Sequence, residues 1–346
     1  MPTSSIDTFF ACTVILAAAL IATASVASTL QLQINDSQDL NKQSYLNALA
    51  DHIINSPGTP SNWGTTNTSL TDFGLATTES QSFSELDLNK INKLYNSSFW
   101  SSEFGTSTSI YNTALGLKAS QLLDISIKQY SNSTINHLTT FTFSISTSIN
   151  SKPTSAILQA YTKADNFESN ITTSTADNGR CNLSIEIPET STNTSFLIIF
   201  ARAPIDSRLT SFAIYNINNS TQESTPNEGI LNIEGPINNR LTWNSNDSSL
   251  QIEKAEIFSF GYAQNISIAQ GTSYCMLPNL VDSSPQIIII NGNSNGSYFQ
   301  TWTANPRIPF EIGSDFNQSE QNVFTYLITI KENLYKLEIS FGDLQL

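Results

Sequence analysis

Charged side chains are scarce in this chain, and basic side chains are the scarcest. Asp, Glu, Lys and Arg make up 13% of the 346 residues, with 29 acidic against 15 basic side chains. The formal net charge of -14 would repel a phosphate backbone, so we expect no nucleic-acid partner. Ser, Thr and Asn take the polar positions instead, which indicates an exterior of hydroxyls and amides.

Histidine is almost absent, which removes the commonest metal ligand and acid–base catalyst. The two histidines, His52 and His137, have no Cys, His or Glu at metal-ligand spacing. No GxSxG, HExxH, GxGxxG or phosphate-loop motif occurs. Carboxylate pairs such as Glu253 with Glu256 are typical of a solvated face. We therefore predict a non-enzymatic protein with no cofactor and no metal, and we keep a secreted glycan hydrolase as the least favoured alternative.

Cysteine is also scarce. Cys12 lies inside an apolar stretch, which leaves Cys181 and Cys275 as the candidate disulfide pair. A bridge between them would close a long loop, but the two residues fall in different predicted domains. A disulfide and two free thiols therefore remain as alternatives.

One long hydrophobic run is present, FFACTVILAAALIATASVAS at residues 9–28. Residues 9–30 are long enough for one helix to cross a hydrocarbon core of about 30 Å. A cleaved export signal would have a basic start, whereas residues 1–8 contain Asp7 and no basic side chain. We predict a retained single-pass anchor in the cell membrane with the C-terminal bulk extracellular. Cleavage after Ala24 or Ala27 is the alternative.

Helical spacing continues beyond this run. Apolar residues recur at helical intervals at Leu46, Leu49, Ala50 and Ile53. The predicted helix ends before Asn55-Ser-Pro57-Gly58, where proline removes an amide donor. A second short helix is predicted at 84–95, opened by Ser84-Glu-Leu-Asp87 as a capping box.

The first hundred residues resemble archaeal type IV pilin-like surface proteins. The resemblance rests on the uncharged N-terminal run, on NSPGTPSNWG, on Phe73-Gly-Leu-Ala76 and on LDLNKI at 86–91. It implies a hydrophobic helix that first lies in the membrane and then packs into a filament core by self-association. A single-pass anchor with a helical stalk explains the same residues.

The rest of the chain has the pattern of β-strands. Apolar residues alternate with polar ones near 121–130 and 181–187, and FLIIFARA at 196–203 is typical of a core strand. SKPTSAILQAY at 151–161 and TADNGRCNLSI at 175–185 resemble adjacent strands of Ig-like or transthyretin-like modules. That resemblance covers about residues 135–217 and implies a sandwich.

The predicted fold class is therefore α+β, with a long N-terminal membrane-anchored α-helix, a short second helix and two β-sandwich-like domains. The predicted parts are an anchor and helical stalk at 1–58, a connecting region at 59–134, an Ig-like sandwich at 135–217, a linker at 218–229 and a C-terminal β-rich domain at 230–346.

The glycosylation pattern Asn-x-Ser/Thr recurs throughout the chain after the hydrophobic run. It occurs at Asn35, Asn67, Asn96, Asn132, Asn170, Asn182, Asn193, Asn218, Asn219, Asn246, Asn265, Asn295 and Asn317. Chance in a chain rich in Asn, Ser and Thr is the alternative explanation. Four aromatic residues, Trp243, Tyr298, Phe299 and Trp302, are candidates for a carbohydrate-stacking face. The predicted partners are the membrane, through residues 9–30, and surface glycans, and the leading hypothesis is a structural or adhesive surface protein.

Overall fold

The described part of the chain consists mainly of β-sheets. The computed structural model describes residues 41–78, 84–94, 115–164, 167–175, 178–189, 195–217, 231–245, 247, 249–269, 271–294, 297–313 and 322–342. Strands hold 59% of these residues and helices 10%. The α+β prediction with a long N-terminal helix is thus wrong, because the described helices are two and short. The predicted anchor, residues 9–30, lies outside the described residues. Within them, no helix combines the length and the apolar content that a membrane crossing needs.

The two described helices precede and follow a loop in the chain. Helix α1 covers residues 41–55, and the side chains it buries recur at helical intervals: Leu46, Ala50, Ile53 and Ile54. Helix α2 spans Leu88–Leu94. Between them, Gly58 adopts a φ of +74°, and a Cβ there would lie 2.7 Å from the carbonyl oxygen of Asp72. Only glycine fits this turn.

The strands, in chain order, are β1 Leu115–Gln121, β2 Leu123–Ile135, β3 Leu138–Ile149, β4 Lys152–Pro153, β5 Ile157–Ala164, β6 Phe167–Ser174, β7 Arg180–Pro188, β8 Phe196–Arg202, β9 Thr210–Asn216, β10 Asn232–Ile233, β11 Arg240–Asn244, β12 Gln251–Ser259, β13 Tyr262–Ile266, β14 Tyr274–Met276, β15 Gln286–Ser294, β16 Ser297–Asn305, β17 Phe310–Gly313, β18 Asn322–Ile330 and β19 Asn333–Phe341.

These strands form five sheets, which we number I to V. In sheet I, β2 and β7 flank β3, and the short β4 also pairs with β3. Sheet II has the order β6-β5-β8-β9, sheet III β13-β12-β15-β16 and sheet IV β10-β11-β14. Sheet V has the order β17-β1-β19-β18. Its strands therefore come from both ends of the strand-rich region.

Sheets I and II form a first sandwich, and sheets III and IV form a second. The first encloses a core that includes Phe143 and Ile185 of sheet I and Leu197 of sheet II. The second encloses Trp243 of sheet IV together with Ile257 of sheet III. The prediction of β-sandwich modules is confirmed at this level.

The two sandwiches pack back to back through sheets II and III. A third core lies between these sheets and contains Tyr161, Ile198 and Phe200 from one side and Phe258 and Ile289 from the other. Strands β8 and β15 are therefore buried on both faces, since their alternate residues belong to the sandwich cores. The four sheets form one continuous stack.

Strand pairing crosses the predicted domain boundaries. Strand β2 extends across the predicted limit at residue 134 and pairs with β3 along its length. Strand β1, in the predicted connecting region, pairs with both β17 and β19. Residues 52–346 accordingly form one compact unit. The amide of Asn333 helps to close it, because it accepts a 2.7 Å hydrogen bond from Thr210 and donates to the carbonyl oxygen of Ser283.

Helix α2 is held by polar contacts as well as by apolar ones. The Asp87 carboxylate caps it by accepting from the N–H groups of Asn89 and Lys90. The fully buried Lys90 Nζ donates to the carbonyl oxygens of Pro57 and Ala76 at 2.8 and 2.6 Å. Burial lowers the pKa of Lys90, and the nearby Asp87 partly offsets this. The lysine thus fixes the loop after α1 to α2.

The shared core predicts that the two sandwiches unfold together. Phe258→Ala removes a ring that is 1% exposed between sheets II and III, so we expect a loss of about 3–5 kcal/mol in the free energy of unfolding. Urea denaturation of the full-length protein should show a single transition at lower urea. The control Leu327→Ala, at a side chain 57% exposed, should change stability by less than about 0.5 kcal/mol. Two separate transitions would contradict the shared core.

Candidate functional surfaces

The sequon asparagines within the described residues are all exposed. They are Asn67 in the loop after α1, Asn132 on β2, Asn170 on β6, Asn182 on β7 and Asn265 on β13. Both sandwiches thus carry exposed sequon asparagines. The other sequons lie outside the described residues: Asn35, Asn96, Asn193, Asn218, Asn219, Asn246, Asn295 and Asn317.

The outer surface of sheet I, which we call the hydroxyl face, is lined by polar side chains, most of them small. The strand register places three rows across it: Ser126, Ser146 and Arg180; Lys128, Ser144 and Asn182; and Ser131, Thr142 and Ser184. The alternate residues Phe143 and Ile145 point into the sandwich core. At the bulge of β2 beside these rows, Tyr130 is 82% exposed. The face offers hydroxyls and the cationic side chains of Lys128 and Arg180 to a ligand, and the ring of Tyr130 is exposed beside it.

The predicted carbohydrate-stacking face is not formed. Trp243 and Phe299 are only 4% and 5% exposed and belong to the core of the second sandwich. Trp302 packs against the core between sheets II and III instead. Sequence reasoning could not separate these rings from surface rings, whereas it overlooked Tyr130, which lies in a polar strand.

The predicted ionisable candidates do not converge. The ring of His52 lies 3.1 Å from Asp72, and His137 lies 3.0 Å from Glu189; both histidines are exposed. Among the residues that the structure describes, no group of three or more His, Cys, Asp or Glu side chains is placed to hold a metal ion.

An ion pair is buried between sheets II and III. The Lys163 Nζ of β5 lies 2.6 Å from the Glu256 Oε2 of β12, and both side chains are only 4% exposed. The other oxygen, Glu256 Oε1, lies 2.5 Å from the Nζ of Lys254, whose side chain is 39% exposed. Glu168 Oε2 lies 4.0 Å from the Lys163 Nζ. The prediction of a solvated face for Glu253 with Glu256 is therefore wrong for Glu256. The signals that the sequence offered were one Lys in the buried strand β5 and one Glu in the buried half of β12.

A second polar contact joins the same two sandwiches. The Arg202 guanidinium at the end of β8 donates to both Asp282 oxygens, at 2.9 and 2.6 Å, and to the Ser284 hydroxyl. It also lies 4.2 Å above the Phe260 ring. Burial acts to raise the pKa of Asp282, but the hydrogen bonds from Arg202 and Ser284 outweigh it and hold that pKa below its ordinary value. The carboxylate therefore stays ionised, and its contact with the Nη2 of Arg202 persists in mild acid.

The structure does not bring Cys181 and Cys275 together. Cys181 lies on β7 against the core of the first sandwich, and Cys275 lies on β14 in the core of the second. Both are free thiols. Sheets II and III lie between the two cores and separate the two thiols, so the candidate disulfide does not form in this structure. Burial raises the pKa of Cys181 and raises that of Cys275 to about 11.

The raised pKa predicts a thiol at Cys275 that does not react in the folded protein. Near the ordinary thiol pKa of 9.0, most of Cys275 remains protonated, and only the thiolate alkylates. Peptide mass spectrometry after iodoacetamide treatment should find Cys275 unmodified in the folded protein and modified in denaturant. As the pH rises from 9.0 to about 11, the unfolded chain loses this proton first, so stability should fall. Equal alkylation of folded and denatured protein would contradict this burial.

Comparisons with known proteins assign the chain to no family. No family model matches it, and no curated protein does so. Among solved structures, HBP35 of Porphyromonas gingivalis is 12% identical with a TM-score of 0.20, over 53% of this chain and 63% of that one. Red sea bream transglutaminase is 12% identical with a TM-score of 0.21, over 53% of this chain and 31% of that one. This chain therefore spans less than two thirds of either protein, and at these TM-scores neither likeness shows a common fold.

Proposed function

We propose that this chain is a non-enzymatic surface protein, tethered to the cell membrane by the apolar segment 9–30 and displaying its sheets outside the cell. Its role is structural or adhesive. The observation that carries the proposal is the exposure of all the described sequon asparagines, on both sandwiches and on the loop after α1. An extracellular location is what makes such sites available to N-glycosylation.

The sheet stack suits a spacer or an adhesive module. Sheets II and III join the sandwiches through an apolar core, so the stack resists bending between them. In this proposal the first sandwich is an Ig-like or transthyretin-like module, and its hydroxyl face with Tyr130 contacts surface glycans. Hydroxyl rows supply hydrogen bonds, and an exposed tyrosine supplies a stacking surface at low entropy cost.

A pilin-type filament subunit is the second candidate. Helix α1 follows the apolar segment in the chain and is amphipathic, burying Leu46 and Ala50 while Tyr45 is 50% exposed. An apolar segment that continues into an amphipathic helix is an arrangement in which copies can bundle by their N-terminal parts. Small residues such as Ala17 and Ala18 would permit close approach in such a bundle.

Protease treatment of intact cells that produce the full chain tests the tether. We expect loss of the bulk of the chain, with a short fragment that contains residues 9–30 retained in the membrane fraction. Glycosidase should lower the mass of the released part, and Asn265→Gln, away from the hydroxyl face, should remove one glycan from it. A full-length chain in the soluble cytoplasmic fraction would rule out the proposal.

Variants of the apolar segment test whether it holds the chain in the membrane. Ile15→Arg with Leu20→Arg places two charges where each costs about 2.5–3.5 kcal/mol in the bilayer centre, so the chain should leave the membrane fraction. The control exchange Ile15→Leu with Leu20→Ile should keep it there. Electron microscopy of sheared surface material then separates the two candidates, since the filament proposal requires the chain within filaments and the monomeric tether does not.

A further inference from the structure

We propose that Lys163 and Glu256 condense with each other, without an enzyme, to an amide that joins sheets II and III covalently. The bond would link β5 of the first sandwich to β12 of the second. It is a modification site on interior strands, distinct from the exposed sequons and the free cysteines.

The contact between the two side chains differs from an ordinary salt bridge. Lys163 Nζ lies 2.6 Å from Glu256 Oε2. At this distance an ammonium normally donates a well-aligned hydrogen bond, yet Oε2 is buried and has no hydrogen bond of ordinary geometry. The nitrogen is thus close to the carboxyl group but off the direction that a hydrogen bond prefers. Condensation of an amine with a carboxyl group needs this kind of proximity.

Burial of both groups favours the condensation. Each side chain is 4% exposed, and Tyr161 and Phe258 of the apolar core lie nearby on the same two strands. A buried ion pair pays a large desolvation penalty, which the neutral amide avoids. Fixing the amine against one carboxyl group also gives an effective molarity of about 10⁵–10⁸ M for well-oriented groups. The same exclusion of water slows the reverse hydrolysis.

The reaction balances without any added reagent. The Lys163 ammonium gives one proton to Glu256 Oε2, and the nitrogen lone pair then attacks the carboxyl carbon. Glu168, at 4.0 Å from Nζ, takes a second proton from the nitrogen and passes it to Oε2. The carbon–Oε2 bond breaks and water leaves. Oε1 remains as the amide oxygen, and Lys254 at 2.5 Å stabilises the charge that it carries in the intermediate.

The neighbouring Lys254 is not the nucleophile in this scheme. It lies on the same strand as Glu256, and its side chain is 39% exposed, so water competes for its ammonium. Lys163 comes from the facing sheet and is almost completely buried. The position of the bond therefore discriminates between the proposed pair and a nonspecific reaction of any nearby lysine.

Peptide mass spectrometry tests the bond directly. Full-length protein, folded in detergent as judged by circular dichroism, is denatured, deglycosylated and digested with trypsin. We expect one joined peptide that contains both Lys163 and Glu256 and is lighter by one water molecule than the sum of its parts. Trypsin should also fail to cut after Lys163, because the amide nitrogen carries no charge. Separate peptides with cleavage after Lys163 would overturn the proposal.

Matched variants identify the roles of the groups. Lys163→Arg and Glu256→Ala should each abolish the joined peptide. Glu256→Gln should restore the same product, since ammonia then leaves in place of water. Lys254→Arg should keep the link, and Glu168→Gln should slow its formation after synthesis by at least about tenfold, given the usual contribution of proton relays. A joined peptide through Lys254, or one that survives Lys163→Arg, would refute the assignment.

Discussion

The packing of sheet II against sheet III is the contact on which the rest of the structure depends. It buries the second face of two sheets whose first faces already line sandwich cores, so β8 and β15 need apolar side chains at successive positions. Such burial of both faces is unusual for antiparallel sheets, which commonly leave one face to water. Because this layer contains ring contacts such as that of Tyr161 with Phe258, at 5.3 Å, neither sandwich can rotate without unpacking it.

Much of the strand structure could be predicted from the sequence, whereas the stacking of the sheets could not. Alternation is a local signal, and it placed strands close to β2 and β7 because one face of each is apolar. The continuous apolar runs FLIIFA of β8 and IIII of β15 carry a different signal, burial on both faces. We interpreted FLIIFARA as a core strand of a single sandwich. An apolar run in the sequence does not show which other sheet covers the second face of its strand. The packing of the two sandwiches against each other was therefore not predicted.

Some features of the candidate surfaces could likewise be predicted from the sequence, and others could not. Sequons are three-residue motifs, so their positions follow from the sequence, and the exposure of Asn182 required only that its strand alternates. The Lys163–Glu256 pair depends on two strands that are distant in the chain and meet only because sheets II and III pack together. The rings of Trp243 and Phe299 illustrate the opposite failure. In the sequence, an aromatic residue of a core cannot be distinguished from one on a binding face, because only tertiary burial separates the two.

Several interior polar groups lie where sheet II meets sheet III. The Tyr161 hydroxyl of sheet II donates to the carbonyl oxygen of Ser259 in sheet III, and Arg202 contacts Asp282 across the same junction. Buried polar contacts add little net stability, since desolvation offsets most of their attraction. An arrangement that leaves these buried groups unpaired costs free energy, and a shift of one sheet by one residue would leave several of them without partners. Apolar burial therefore drives the two sandwiches together, and the polar contacts determine the single alignment in which Lys163 can meet Glu256.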